Sequence, residues 1–188
     1  VHYAGANQNI AAIPSPWMYG KLKVSGTGTK LLNTTDVQVG NTLEVTASVL
    51  SIETGKTLTV TNAVTTINNG ISIADGGSLV QITDENVNVG KIAVTRITKP
   101  MNKYDYTYWS SPVAGNTLHD LSPDTHVNRY YSYNPDAVAP ALNWTAITGG
   151  AATMIAGKGY IIRAPNGYSD TSYTAYTGNF NGVPNNGT

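Results

Sequence analysis

Residues 43–73 read LEVTASVLSIETGKTLTVTNAVTTINNGISI, and this stretch decides the fold predicted for the first half of the 188-residue chain. Its apolar residues come in pairs with one polar residue between them, as in Leu43 and Val45 or Leu58 and Val60. This alternation is typical of short strands with one face turned inward. Turn-forming residues such as Gly55 separate the pairs, so the stretch predicts several short strands in succession.

The same pairs recur outside this stretch at a constant step of 21 residues. Three sets of apolar residues advance by this step: Leu22, Leu43 and Val64; Val37, Leu58 and Leu79; Leu50, Ile71 and Ile92. Three strands per period predict a short right-handed parallel β-helix of about three to four coils, stacked at roughly 4.8 Å. A sandwich of short antiparallel strands is the alternative, but a hairpin meander has no reason to keep one step in three separate sets.

We expect this β-helix to occupy residues 1–97. Polar residues between the apolar pairs, such as Lys23, Gln38 and Ser51, then face outward. Residues 2–20 lack the repeat. Because the end of a β-helix exposes apolar faces and unpaired edges, these residues are predicted to form an N-terminal cap or to be the remains of a preceding coil.

A second unit is predicted for residues 98–188. The repeat ends at Pro100, which cannot donate a hydrogen bond to a strand ladder. Alternating aromatic segments follow at 104–109 and 129–133, and Pro and Gly turns separate the later segments. This pattern predicts a β-sandwich, jelly-roll-like and incomplete at its end, so the whole chain is predicted to be all-β.

Several phrases of the sequence carry a family resemblance. They are KYDYTYWSSPV at 103–113, YYSYN at 130–134, MIAGKGYIIRAP at 154–165, and upstream LKVSGTGTKL at 22–31 and ISIADGGSL at 71–79. Together they resemble β-helical stretches followed by a module found in very large secreted and cell-surface proteins of Bacteroidetes. Such proteins resemble adhesins and are exported by the type IX secretion system through a C-terminal sorting domain.

The resemblance implies a secreted or bacterial cell-surface location. It also implies that the module continues beyond Thr188, so we expect the chain to be a piece of a longer polypeptide. An open strand edge at that point would associate with another copy or with a neighbouring domain of the same large protein.

Composition narrows the function further. Only 12% of residues are charged and the formal net charge is zero, so the basic stripe of a nucleic-acid-binding protein is absent. No apolar run approaches the roughly twenty residues of a membrane span. We therefore expect a non-catalytic structural or adhesive segment, acting as a stalk or attaching to a host or environmental surface or glycan.

Two alternatives stay open: a carbohydrate-binding module and a fragment of a β-helical polysaccharide-degrading enzyme. The enzyme needs paired carboxylates or a base with an acid on one outward face. The outward positions of the predicted β-helix are instead mostly Ser, Thr, Gln and Lys. We therefore predict no catalytic residue.

Exposed Tyr and Trp rings are the side chains that would stack on sugar rings. The aromatic candidates are Tyr104, Tyr106, Tyr108, Trp109, Tyr130, Tyr131, Tyr133, Trp144, Tyr173 and Tyr176. From these we select Tyr108, Trp109, Tyr131 and Trp144 as glycan-binding residues. Because successive side chains of a strand point to opposite faces, about half of the rings in each strand are expected in the core.

No metal site and no cofactor are predicted. Two histidines and two acids have spacing that approaches that of metal ligands, but two histidines in a loop match a zinc site poorly: His119, Asp120, Asp124 and His126. A structural calcium ion at one corner of the β-helix is the alternative, with carboxylates from Asp75, Asp84 and Glu85. The sequence lacks an EF-hand or nonapeptide calcium pattern.

Overall fold

The computed structural model describes residues 1–84, 86–138 and 143–186. The chain is nearly all β, with 40% strand and 4% helix, as predicted. It divides into two compact units, one formed by Val1–Arg96 with the segment from Asn181 onward, the other by Ile97–Phe180. The division falls inside the last strand.

Twelve short strands begin in the first unit. In chain order they are β1 (His2–Tyr3), β2 (Gln8–Asn9), β3 (Leu22–Val24), β4 (Thr29–Leu32), β5 (Val37–Val39), β6 (Leu43–Val45), β7 (Val49–Ile52), β8 (Thr57–Val60), β9 (Val64–Thr66), β10 (Ile71–Ile73), β11 (Ser78–Gln81) and β12 (Ile92–Ile97).

These strands stack in three parallel ladders, which makes the first unit a β-solenoid of about four turns with a spacing of about 21 residues. The ladders run β1-β3-β6-β9, β2-β4-β7-β10-β12 and β5-β8-β11. The predicted partners lie side by side: Leu22 with Leu43, Val37 with Leu58, and Leu50 with Ile71. The predicted parallel stacking and its register are therefore confirmed, and the right hand of the β-helix stays a prediction.

The core of the solenoid consists mainly of the two apolar residues of each alternating pair, both of which point inward. Leu50, Leu58 and Val64 are completely buried, while the intervening positions are half-buried or exposed. Among the outward residues, Lys23 Nζ lies 3.2 Å from Glu44 Oε1, one coil further on. Aliphatic residues inside and polar residues outside are the arrangement that the alternation predicted.

Residues 2–20 form a preceding coil, the second of the two alternatives given for them. Tyr3 pairs with Val24, Gln8 with Lys30, and Tyr19 with Val39. The coils approach each other closely at Gly26, where a Cβ atom would lie 2.1 Å from Ala4 O. Its φ of 77° also favours glycine, so a side chain would push the two coils apart.

Lys30 is the charged exception among the described inward residues of the solenoid. It pairs with the inward residue Leu50, and its side chain is completely buried although it carries an ammonium group. Its Nζ donates to Gly5 O at 2.9 Å and to Thr27 O at 2.7 Å. One backbone carbonyl of the first coil and one of the coil that contains Lys30 itself therefore supply the partners that a buried ammonium group requires.

The second unit contains strands β13 (Tyr106–Trp109), β14 (Val113–Ala114), β15 (Tyr130–Tyr133), β16 (Trp144–Ala146) and β17 (Tyr160–Arg163), the first half of β18 (Thr177–Pro184), the helix α1 (Leu118–Leu121) and a 3-10 helix (Thr148–Gly150). Four of the strands form an antiparallel sheet in the order β13-β17-β15-β16.

The inner face of this sheet is buried. Tyr130 is completely buried, and its hydroxyl donates to Ser122 O at 2.6 Å. Tyr160 accepts a hydrogen bond at its hydroxyl from Ile155 N at 2.9 Å, so the polar tips of both rings are satisfied. The predicted β-sandwich itself stays a prediction.

Candidate functional site

The outer face of the four-stranded sheet carries a group of aromatic side chains. Residues directly opposite each other in an antiparallel sheet point to the same side, and the register therefore defines this face. Tyr108 and Tyr131 both lie opposite Ile161, and Tyr133 lies opposite Trp144. We call the five outward aromatic residues of the sheet the aromatic face: Tyr106, Tyr108, Tyr131, Tyr133 and Trp144.

The rings of the aromatic face contact one another in two groups. The Trp144 ring centroid lies 4.9 Å from that of Tyr133 and 6.3 Å from that of Tyr108, with the ring planes tilted by 59° and 49°. The Tyr106 and Tyr131 centroids are 6.1 Å apart, tilted by 58°. Tyr108 is 78% exposed, Tyr106 and Tyr133 are also exposed, and Tyr131 and Trp144 are half-buried.

Two arginines lie at one end of the aromatic face. Arg163 is opposite Tyr106, and its backbone N–H donates to Arg129 O at 3.1 Å on the neighbouring strand. Arg129 Nη1 lies 3.2 Å from the Tyr131 hydroxyl. We call Arg129 and Arg163 the arginine pair.

The contact between Arg129 and Tyr131 affects pKa values at this end of the aromatic face. Partial burial and the neighbouring Tyr131 raise the pKa of the Tyr106 phenol, and the arginine pair opposes the rise. The hydrogen bond to the Tyr131 hydroxyl also raises the pKa of Arg129, which favours the charged form of its guanidinium group.

The structure brings together three of the four predicted glycan-binding residues, namely Tyr108, Tyr131 and Trp144. The selection of Trp109 as a glycan-binding residue is corrected by the structure. Trp109 is only 8% exposed, and its ring centroid lies 5.9 Å from that of Phe180 in the core. It occupies the opposite phase of the strand from Tyr108, so the two cannot share a face. Tyr133 and Tyr106 belong to the face but were not among the four.

Residues 7–188 match the family described as "Domain of unknown function (DUF8693)". The chain belongs to this family. Comparisons with curated proteins and with solved structures found no match. The DUF8693 match includes the solenoid from its first coil and the whole aromatic face.

The predicted metal-ligand candidates do not converge within the described residues, where no three His, Cys, Asp or Glu side chains could hold an ion together. Asp120 instead accepts hydrogen bonds from Thr117 at the start of α1. Asp75 and Asp84 lie in turns, and Glu85 lies outside the described residues, so the alternative of a structural calcium ion stays open.

The acids and histidines of the second unit have other surroundings. Asp124 and His126 line an open groove together with Asn166 and Tyr168.

In the part of the chain that the structure describes, no helix is long and apolar enough to cross a membrane.

Proposed function

We propose that the aromatic face binds glycan, and that the chain is a non-catalytic adhesive segment of a secreted or cell-surface bacterial protein. The observation that carries this proposal is the gathering of five aromatic side chains on the outer face of one sheet, with Tyr108 78% exposed. Contiguous exposed apolar surface is uncommon on soluble proteins, and it marks ligand or partner sites where it occurs.

The chemistry of the face suits sugars. A sugar ring has apolar C–H surfaces and hydroxyl groups at its edges. Tyr and Trp offer an apolar ring surface together with one polar group, O–H or N–H, at the rim. The aromatic face can therefore cover the C–H surface of a sugar while its phenol and indole groups bond to the hydroxyl edge.

The tilt of the rings favours a single polysaccharide chain. Trp144 is inclined by 49° to Tyr108 and by 59° to Tyr133. Rings inclined in this way cannot all lie flat on one crystalline surface, but successive sugars of a flexible chain can rotate to meet them. We therefore propose a soluble polysaccharide or a surface glycan as the ligand.

The solenoid suits the role of a stalk or spacer. Its coils stack through aliphatic ladders, and its outward positions are mostly small polar residues such as Ser51 and Ser72. The proposed location and the adhesive role are supported by the resemblance to large Bacteroidetes surface proteins described above.

The test is a screen of the whole chain on a glycan array, followed by titration of the best ligand by isothermal calorimetry. Tyr108→Ala and Trp144→Ala should each weaken binding by about tenfold or more, equivalent to about 1.4 kcal/mol. Tyr173→Ala is the matched control, because Tyr173 is 64% exposed in the second unit but is not part of the aromatic face.

Two outcomes would contradict the proposal. One is that Tyr108→Ala and Trp144→Ala bind the ligand as tightly as Tyr173→Ala. The other is a steady release of new reducing ends or unsaturated products from the bound polysaccharide, which would favour the enzyme alternative.

A further inference from the structure

The arginine pair is an unusual feature of the sheet. The chain contains three arginines, and two of them are neighbours across the sheet: Arg129, which directly precedes β15, lies opposite Arg163 of β17 when the register is extended by one residue. Like charges directly opposite each other on a sheet are destabilising. A sequence with so few charged residues therefore places two like charges where they oppose folding.

Carboxylates do not compensate this repulsion. Neither member of the arginine pair forms an ion pair with a carboxylate among the described residues. Arg129 contacts the Tyr131 hydroxyl, and Arg163 Nη2 lies 2.9 Å from Asn166 Oδ1, both neutral acceptors. The Arg163 Nε atom is buried without a hydrogen-bond partner.

An acidic group of a ligand would supply the negative charge that offsets the repulsion between the two guanidinium groups. A guanidinium group presents parallel N–H donors that match a carboxylate or a sulfate. Tyr106, opposite Arg163, and Tyr131, in contact with Arg129, place ring surfaces beside these donors. One sugar can then stack on a ring while its acidic group meets a guanidinium group.

We infer that the glycan bound by the aromatic face is an acidic polysaccharide, with its carboxylate or sulfate groups held by the arginine pair. This inference rests on the proposed function and adds the substrate class to it. The aromatic face supplies stacking, and the arginine pair selects for negative charge.

A single-stranded nucleic acid also combines stacking bases with negative charge. It is the weaker candidate, because nucleic-acid-binding surfaces carry a stripe of basic residues along the backbone path. The formal net charge of this chain is zero, and the arginine pair occupies only one end of the face.

The experiment compares matched polysaccharides. Polygalacturonate and its methyl ester share one backbone and differ in charge, as do dextran sulfate and dextran. We expect the whole chain to bind at least one acidic member about tenfold or more tightly than its neutral counterpart. The acidic member preferred then identifies carboxylate or sulfate as the group recognised, and added salt should weaken binding.

Variants of the arginine pair test the cause. Arg129→Gln and Arg163→Gln should each weaken binding of the acidic polysaccharide by about tenfold and leave binding of the neutral one unchanged. Lys91→Gln, which removes one exposed charge from the solenoid, should bind as the wild type does. Because Arg129→Gln relieves repulsion, its melting temperature should equal or exceed that of the wild type, which a purely structural role would not predict.

The outcomes separate this inference from the proposed function. Equal binding of charged and neutral polysaccharides, lost in Tyr108→Ala but not in Arg129→Gln, would overturn the inference and support the proposed function. Absence of binding to every polysaccharide would overturn both. Tighter binding of single-stranded oligothymidylate than of either acidic polysaccharide would also overturn the inference.

Discussion

The two units use the same alternation of side chains and place opposite kinds of residue on their outer surfaces. In the solenoid, outward positions such as Thr59 and Ser51 are polar, and most inward positions are aliphatic. In the four-stranded sheet of the second unit, both faces carry aromatic rings. Tyr130 and Tyr160 are buried on one face, while Tyr108 is exposed on the other.

This difference separates structural requirements from functional ones. A polar outer surface is what solubility alone requires of a strand with one buried face. The solenoid meets that requirement and needs no ligand to explain it. The aromatic face departs from it, and the arginine pair adds a second departure at the same place. The aromatic face and the arginine pair lie on the same sheet, and we therefore propose that the second unit is the one that binds a ligand.

The largest expected effect comes from placing a charge inside the solenoid. Leu58 is completely buried in the ladder between Val37 and Leu79. Leu58→Asp should lower the free energy of unfolding by about 5 kcal/mol, because it buries an unpaired carboxylate. Urea unfolding followed by circular dichroism measures this loss.

Gln38→Asp is the matched control for that substitution. Gln38 is an exposed residue of the same ladder, so the same charge should change stability by less than about 0.5 kcal/mol there. Equal losses in the two variants would mean that the two sides of the ladder do not differ as described.

The next largest effect contrasts two neighbouring aromatic residues of the second unit. Trp109 packs on Tyr176 and Phe180, so Trp109→Ala should cost about 3–5 kcal/mol of stability. Tyr108→Ala should cost less than about 1 kcal/mol and instead weaken glycan binding. Thermal unfolding and ligand titration of both variants test this division. Similar melting temperatures for the two would contradict the assignment of their faces.

The solenoid was more predictable from sequence than the second unit, for a physical reason. Aliphatic and polar residues differ in kind, so a pair such as Leu58 and Thr59 shows which side is inward. A constant step then gives the register between coils. In the second unit, Tyr108 and Trp109 are both aromatic, so alternation shows that they face opposite sides without showing which side is buried.

Two further features depend on register that the sequence pattern does not contain. Lys30 pairs with Leu50 at a step of 20 residues, and Gln8 pairs with Lys30 at a step of 22, so the ladder departs from the constant step where β2, β4 and β7 stack. Arg129 and Arg163 are distant in sequence, and only the antiparallel register of β15 and β17 places them opposite each other.

An intermediate effect is expected from Lys30, which is a buried charged residue of the solenoid. Lys30→Met retains most of the side-chain volume but leaves Gly5 O and Thr27 O without their donor. We expect a loss of about 2 kcal/mol, since buried acceptors without partners cost about 1–3 kcal/mol each and better apolar packing offsets part of this. Urea unfolding measures the loss.

Lys23→Met provides the comparison at an outward position. Lys23 forms a surface ion pair with Glu44, and such pairs contribute about 0–1 kcal/mol. A Lys30→Met variant as stable as Lys23→Met would show that Gly5 O and Thr27 O do not need the Lys30 ammonium group.

The smallest expected effect concerns α1, a short helix of the second unit. Thr117 caps it: the Thr117 hydroxyl accepts from Asp120 N at 3.0 Å and donates to Asp120 Oδ2 at 2.7 Å. Thr117→Ala should cost about 1 kcal/mol at neutral pH, and Thr117→Ser, which keeps the hydroxyl, only a few tenths of a kcal/mol.

Hydrogen bonds from the Thr117 backbone and side chain lower the pKa of the Asp120 carboxyl in the folded chain. A lowered pKa means that the charged carboxylate stabilises the fold above its unfolded pKa, and that this stability is lost as the pH falls through the folded pKa. The difference in the free energy of unfolding between the wild type and Thr117→Ala should therefore become smaller as the pH falls from about 5 to about 2. The hydrogen bond from the Thr117 hydroxyl to the carboxylate weakens over this range, while the hydrogen bond from Asp120 N remains. A difference that stays constant or widens over this range, measured by urea unfolding at each pH, would show that the Asp120 carboxylate does not take part in capping α1.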